Sequence, residues 1–202
     1  MDRASWSAIE AAPVLPRNFY SRHAEVVAKD LLGTILVHGR TAGRIVETEA
    51  YLGLDDLAAH ASRGITRRTR VLFGPPGHAY VYLIYGMHEC LNFVTEPDGV
   101  AGCVLIRAVE PLAGISLMRE RRPAAQRIQD LASGPAKLTR ALGITRAHYG
   151  ADLTAGPVTV RKRLEDNEFR VVATPRIGIT RCADWPLRFV VEGSSFASVK
   201  KF

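Results

Sequence analysis

Carboxylates, aromatic rings and guanidinium groups crowd into one stretch of this chain, from Arg44 to Asn92. It opens with Glu47, Glu49 and Tyr51. It continues through His60 and the arginines Arg63, Arg67, Arg68 and Arg70, and closes with Tyr80, Tyr82 and Tyr85. A carboxylate can take a proton from water, a tyrosine ring can stack on a flat heterocycle, and a guanidinium can hold a phosphate. The combination suits a protein that grips a polyanion, stacks on a base and does chemistry beside it.

In a strand, side chains two apart share a face. Glu47, Glu49 and Tyr51 therefore line one side, and Val46, Thr48 and Ala50 the other. Spacing alone favours a solvated outer face of an edge strand for the two acids. Tyr80, Tyr82 and Ile84 likewise share a face, for which ordinary β packing is the common outcome. Tyr85 differs, because it precedes Gly86 at the tip of an expected hairpin. A ring there is poorly placed for a core and well placed to push between base pairs. His60 reads either as a satisfied, partly buried histidine or as a hydrogen-bonding group for a base edge. The six histidines are scattered, and Cys90, Cys103 and Cys182 form no C-x-x-C pair. Three reduced thiols and no metal site are expected.

The elements that must position these groups can be read in outline. Residues 24–31 predict a short helix stopped by Gly33. Strands are expected over Thr34–His38 and Arg44–Tyr51, joined by a turn at Gly39–Gly43. Asp55–Ala61 reads as a helical turn, Ser62–Thr69 as a polar loop, and Gly74–Gly77 as a turn. Tyr80–Tyr85 and Cys90–Thr95 predict a hairpin, followed by a buried strand over Cys103–Val109. Helices are expected over Pro111–Arg122, with Pro111 in the first turn, and from Ser133 to Gly143. Late strands are expected at Val158–Arg161, Arg176–Thr180 and Leu187–Glu192. With 202 residues, 47% of them hydrophobic, one domain suffices. The expected class is α+β: a single compact domain with a curved, largely antiparallel sheet, flanking helices and a protruding β-hairpin. Residues 1–16 are expected as a flexible N-terminal arm before a domain spanning 17–202.

A net charge of +7, carried mostly by arginine, favours a polyanionic partner, since each neutralised phosphate releases counterions. No run reaches the apolar length of a membrane span, and the first residues lack the pattern of a secretory signal. No membrane association and a cytoplasmic location (nucleoid-associated in a bacterium) are therefore expected.

From about Arg17 to Val199 the chain resembles the alkyladenine (3-methyladenine) DNA glycosylases. The most specific strings are RIVETEAYLG at 44–53, AAH at 58–60, GHAYVYLIYGM at 77–87, VLIRAVEPL at 104–112, SGPAKL at 133–138 and PLRF at 186–189. The resemblance implies roles at matching positions. Glu49 would be the general base that activates water. Arg107 and the backbone carbonyl of Ile177 would help hold that water. Tyr51, His60 and Tyr82 would wall the base pocket, Asn92 would sit on its floor, and Tyr85 would fill the gap left by an everted nucleotide. Arg63, Arg67, Arg68 and Lys137 are expected to meet phosphates. The implied activity is monofunctional hydrolysis of alkylated or deaminated purines from duplex DNA in base excision repair, without metal, cofactor or Schiff base. The implied protein is a monomer. A non-catalytic module binding damaged DNA on the same scaffold, and a hydrolase of free nucleosides, are the other readings. Glu49 with Arg107 favours the first over the module, and the arginine clusters favour it over the nucleoside enzyme.

Overall fold

β-branched and aromatic residues set eight strands in the computed structural model, which describes residues 2–165 and 168–199. They are β1 (Ile35–His38), β2 (Thr41–Tyr51), β3 (Ala79–Ile84), β4 (His88–Val94), β5 (Cys103–Ala113), β6 (Val158–Arg161), β7 (Val171–Thr174) and β8 (Arg188–Val191). Five helices accompany them: α1 (Trp6–Ala11), α2 (Arg17–Tyr20), α3 (Ala24–Asp30), α4 (Ile115–Arg121) and α5 (Pro135–Leu142). The strands form one antiparallel sheet in the order β3-β4-β5-β2-β1-β6. β8 pairs with the Glu47–Glu49 part of β2 and with β7. The class is thus α+β, in one domain, with β2 in the interior of the sheet.

The sheet has two unlike faces. On one, Ala50, Ala79, Val81, Leu91, Phe93, Val104 and Ile106 join the main apolar cluster with Val27 and Ala28 of α3 and Leu138 and Ala141 of α5. The Thr48 hydroxyl satisfies itself there by donating to the Ala28 carbonyl at 2.8 Å. The other face carries the polar groups of β2. Both acids are fully buried, so the solvated edge-strand reading fails: β5 and β8 pair with β2 on its two sides, and side chains from them cover the carboxylates. The simple alternation also breaks. The β2–β5 register slips between Ile45 and Glu47. Val46 then packs with Ala108 and Phe196 rather than with the α3 side.

Three expectations are corrected by tertiary pairing. Pro111 lies in β5, not in a helix. Its missing N–H is tolerated because it faces Gly43 at a register shift, and α4 begins only after Gly114, whose φ is +71°. Arg176–Thr180 is not a strand. The Ile177 N–H is drawn to the Glu49 carboxylate and the Arg176 side chain to Asp56, so neither follows a ladder. The stretch expected as a flexible arm is docked: Ile9 is fully buried, the Arg3 N–H donates to the Leu112 carbonyl, and Leu15 donates to Val160. The Gly39–Gly43 turn is shorter than expected, since β2 already begins at Thr41. The expected 55–61 helical turn appears instead as a 3-10 turn at His60–Arg63.

The hairpin β3–β4 ends in Tyr85-Gly86-Met87, with Ile84 facing His88. Tyr85 takes φ +52°, a left-handed conformation that strains a side chain, and is 84% exposed. No helix among the described residues is long and apolar enough to cross a membrane.

Candidate active site

The register of four strands assembles the site. Glu49 on β2 faces Leu105 on β5, which faces Asn92 on β4, which faces Tyr80 on β3. Register partners point to the same side of a sheet, so the four form one row across it. Tyr51 pairs with Cys103 on one side of that row, and Tyr82 pairs with Cys90 on the other. Above this face lies a cavity of about 270 Å³. Tyr51, Tyr80, Tyr82, Cys90, Asn92, Cys103, Leu105 and Arg107 come from the sheet, His60 from the 3-10 turn, Pro135 from α5, and Ile177 from the loop after β7. Another hollow, of about 310 Å³, is lined by Arg44, Glu110, Arg163 and Phe169 and shares none of these groups.

Glu49 sits behind the cavity wall. Its Oε1 accepts from the Ile177 N–H at 2.8 Å and lies 3.2 Å from Arg107 Nη1; its Oε2 accepts from the Tyr51 hydroxyl at 3.0 Å. All three partners line the cavity. Burial raises the pKa of Glu49 above the ordinary value despite Arg107, Ile177 and Tyr51, which oppose it. Glu47, two residues earlier, is its opposite. Burial pushes it up as well, but Arg107, Arg188 and Ser198 outweigh burial and hold it below the ordinary value. Glu47 Oε1 accepts from Arg107 Nε at 2.9 Å, Arg188 Nε at 2.8 Å and Ser198 Oγ at 2.7 Å. One guanidinium thus bridges the two acids: Glu47 anchors Arg107, and Arg107 presents its far edge to Glu49.

Tyr51 is fixed from behind. The Arg176 guanidinium stacks 4.7 Å from its ring centroid. Arg176 is itself held by both oxygens of Asp56, at 2.5 and 2.9 Å, and by the Ala50 carbonyl. Asp56 also caps the N–H groups of Leu52 and Ala58, which shapes the loop leading to His60. Gly53 lets that loop cross the Ala101 carbonyl, where a Cβ would collide. On the opposite wall, Tyr82 packs edge-on against His60 at 4.6 Å, and the Arg68 guanidinium lies 4.7 Å from the Tyr82 ring.

The structure therefore brings together Glu49, Arg107, Ile177, Tyr51, His60, Tyr82 and Asn92. Ile177 meets Glu49 through its N–H, whereas the resemblance implied a role for its carbonyl. Tyr85 stands apart, exposed at the hairpin tip. Arg63, Arg67 and Lys137 are exposed. Arg67 joins Arg70, Arg146 and Tyr149 around an open groove of about 620 Å³ along β3, while Lys137 lies in the first turn of α5. Arg68 borders the same groove, yet its guanidinium is turned onto Tyr80 and Tyr82. The residues missed from sequence are Tyr80, Cys90, Cys103, and the anchors Glu47, Asp56, Arg176 and Arg188. Tyr80 had a signal, since it shares a strand face with Tyr82.

A family model described as Methylpurine-DNA glycosylase (MPG) matches residues 18–195. A protein of Methanoculleus marisnigri is 53% identical over 190 residues, covering 91% of this chain and 98% of the relative. One of Koribacter versatilis is 49% identical over 207 residues, covering 97% and 98%. Both carry the name "Putative 3-methyladenine DNA glycosylase".

Proposed function

Because the chain belongs to the methylpurine-DNA glycosylase family and is a hydrolase of N-glycosidic bonds in DNA, we propose that it everts a damaged purine from duplex DNA and releases it with Glu49 as general base. The observation that carries this reading is the buried Glu49 carboxylate, held by Arg107, Ile177 and Tyr51, all of which line an aromatic cavity. At about 270 Å³ that cavity falls just below the roughly 300–1,000 Å³ of pockets for drug-sized ligands, a scale that suits one flat base. Alkylated or deaminated purines cost less to unstack, which contributes selectivity before any contact is made. Tyr51 and Tyr82 would clasp the base. As the glycosidic bond breaks, positive charge grows on the sugar; Glu49 stabilises it and accepts the proton of the attacking water. A raised pKa makes this carboxylate a stronger base than a free one, in keeping with that task.

The test is base release from duplexes carrying single lesions, with undamaged duplex and the free nucleosides alongside. Release from lesion duplex alone supports the reading. Release from free nucleosides at equal rate would replace it with a nucleoside hydrolase, and tight lesion binding without release would replace it with the binding module.

Tyr85 is assigned to the gap left by the everted nucleotide. Tyr85→Asn suits the left-handed backbone and is expected to gain up to about 1 kcal/mol of stability. The same change is expected to weaken affinity for lesion duplex. Thermal unfolding and a binding titration read the two effects; unchanged affinity would reduce Tyr85 to a strained turn residue. Arg67, Arg70 and Arg146 are assigned to phosphates. Lesion affinity should fall with salt at a log–log slope of about −0.9 per phosphate neutralised. Replacing any one of the three with alanine should flatten that slope by about 1, and a slope that stays put would remove that residue from the interface.

A further inference from the structure

A cationic base such as 7-methylguanine accepts the glycosidic electron pair readily. A neutral base such as hypoxanthine needs a proton, and Glu49, as the base, cannot also supply it. Three tyrosines line the cavity, and their hydroxyls differ in what surrounds them. The Tyr51 hydroxyl donates to Glu49. Among the described residues no N–H group donates to the Tyr82 oxygen, and burial with its neighbours pushes the pKa of Tyr82 up with nothing opposing it.

Tyr80 stands differently. Its oxygen accepts from Arg68 Nε at 3.1 Å and lies 2.9 Å from His60 Nδ1. The other ring nitrogen of His60, Nε2, faces Arg68 Nη2 at 3.5 Å. A guanidinium can only donate, so Nε2 must present its lone pair. His60 is neutral, since burial and the charges of Arg68 and Arg63 push its pKa down to about 4. Its single proton then sits on Nδ1 and points at the Tyr80 oxygen. That oxygen receives two N–H groups and keeps its own hydrogen. With the His60 proton on Nδ1, no acceptor among the described residues takes this hydrogen, and the buried Tyr80 ring borders the cavity.

We infer that Tyr80 is the general acid that protonates the leaving base when the base is neutral. The inference rests on the glycosylase reading above. In the step, the Tyr80 O–H bond breaks and an N–H bond forms at a ring nitrogen of the purine. The glycosidic electron pair leaves with the base, water adds to the sugar carbon, and the second water proton goes to Glu49. Solvent then returns that proton to the phenolate after product departs. Arg68 and His60 hold the phenolate between two donors, as an oxyanion hole holds an alkoxide. The charges and rings facing Tyr80 are Arg68, His60, Tyr82, Cys103 and Tyr149. Burial pushes its pKa up to about 12, and Arg68 opposes that rise.

The test is Tyr80→Phe, which keeps the ring and removes the proton. Single-turnover release of hypoxanthine and of 7-methylguanine is measured from otherwise identical duplexes at saturating enzyme. The ratio of hypoxanthine to 7-methylguanine release is expected to fall by about 100-fold or more. Equal losses on both substrates would make Tyr80 a packing residue, and an unchanged ratio, or a loss confined to affinity, would remove it as the acid. If the unaltered protein released neither base, the glycosylase reading itself would fall, a result distinct from failure of the acid.

Discussion

Glu49→Gln is expected to slow base release by about 10²–10⁴-fold and at the same time to raise the melting temperature. The first effect follows from removing the proton acceptor while keeping the shape. A glutamine oxygen can still accept from the Ile177 N–H, and its amide can donate to the Tyr51 hydroxyl, which now donates to Glu49. Binding of lesion duplex should therefore survive. The second effect follows from the direction of the pKa shift. Burial raises Glu49 in the folded state, so the folded protein holds this proton more firmly than the unfolded chain. Stability from this group is fully present below the ordinary carboxylate value of 4.5. It declines as pH climbs through the raised value, and the ionised acid costs stability at neutral pH. Glutamine mimics the protonated form and removes that cost. The pairing of lost activity with gained stability is typical of a group retained for function. Base release and calorimetry at neutral pH read both; a variant with undiminished release would take Glu49 out of the chemistry.

Glu47→Gln is expected to do the reverse damage and lower stability by about 3–5 kcal/mol. Glu47 is fully buried between Arg107 and Arg188, whose side chains are 9% and 4% exposed. Solvent screens neither contact, so removing the carboxylate takes one negative charge out of a buried site that holds two guanidiniums. The linkage sign is opposite to that of Glu49. The folded pKa of Glu47 lies below the ordinary value, so its contribution is present above pH 4.5 and is lost as pH falls through the depressed value. Acid unfolding of the unaltered protein should draw on this group, and the variant should lose that part of its pH dependence. Urea unfolding gives the measurement: the midpoint should drop at unchanged slope. A loss below about 1 kcal/mol would mean that the arginines find other partners and that Glu47 does not anchor the site. Activity should fall as well, since Arg107 would no longer be held from behind as it faces Glu49.

These two acids mark where the sequence stops being informative. Alternation in β2 correctly placed Glu47, Glu49 and Tyr51 on one face, and the hairpin tip placed Tyr85 outside the core. Spacing could not say what covers that face. Its cover comes from Arg107 on β5, Arg188 on β8, Ile177 after β7 and Ser198 near the end of the described chain. Those partners lie 60 to 151 residues away from the acids they meet. Period-2 patterning reports which side a residue takes and is silent about what lies across from it. Hence the acids read as solvated although they are buried.

The sequence by itself determined the family, the antiparallel α+β class, and several of the groups that meet around the cavity. It did so because strand periodicity, turn residues and contiguous motifs are local properties. Only the tertiary structure separated a structural carboxylate from a reactive one, since identical side chains differ solely in the donors and burial that distant strands supply. It alone placed Pro111 in a strand, docked residues 2–16 and connected Tyr80 to His60 and Arg68. Each of these depends on contacts between segments far apart in the chain, where register and packing decide which groups share a hydrogen bond.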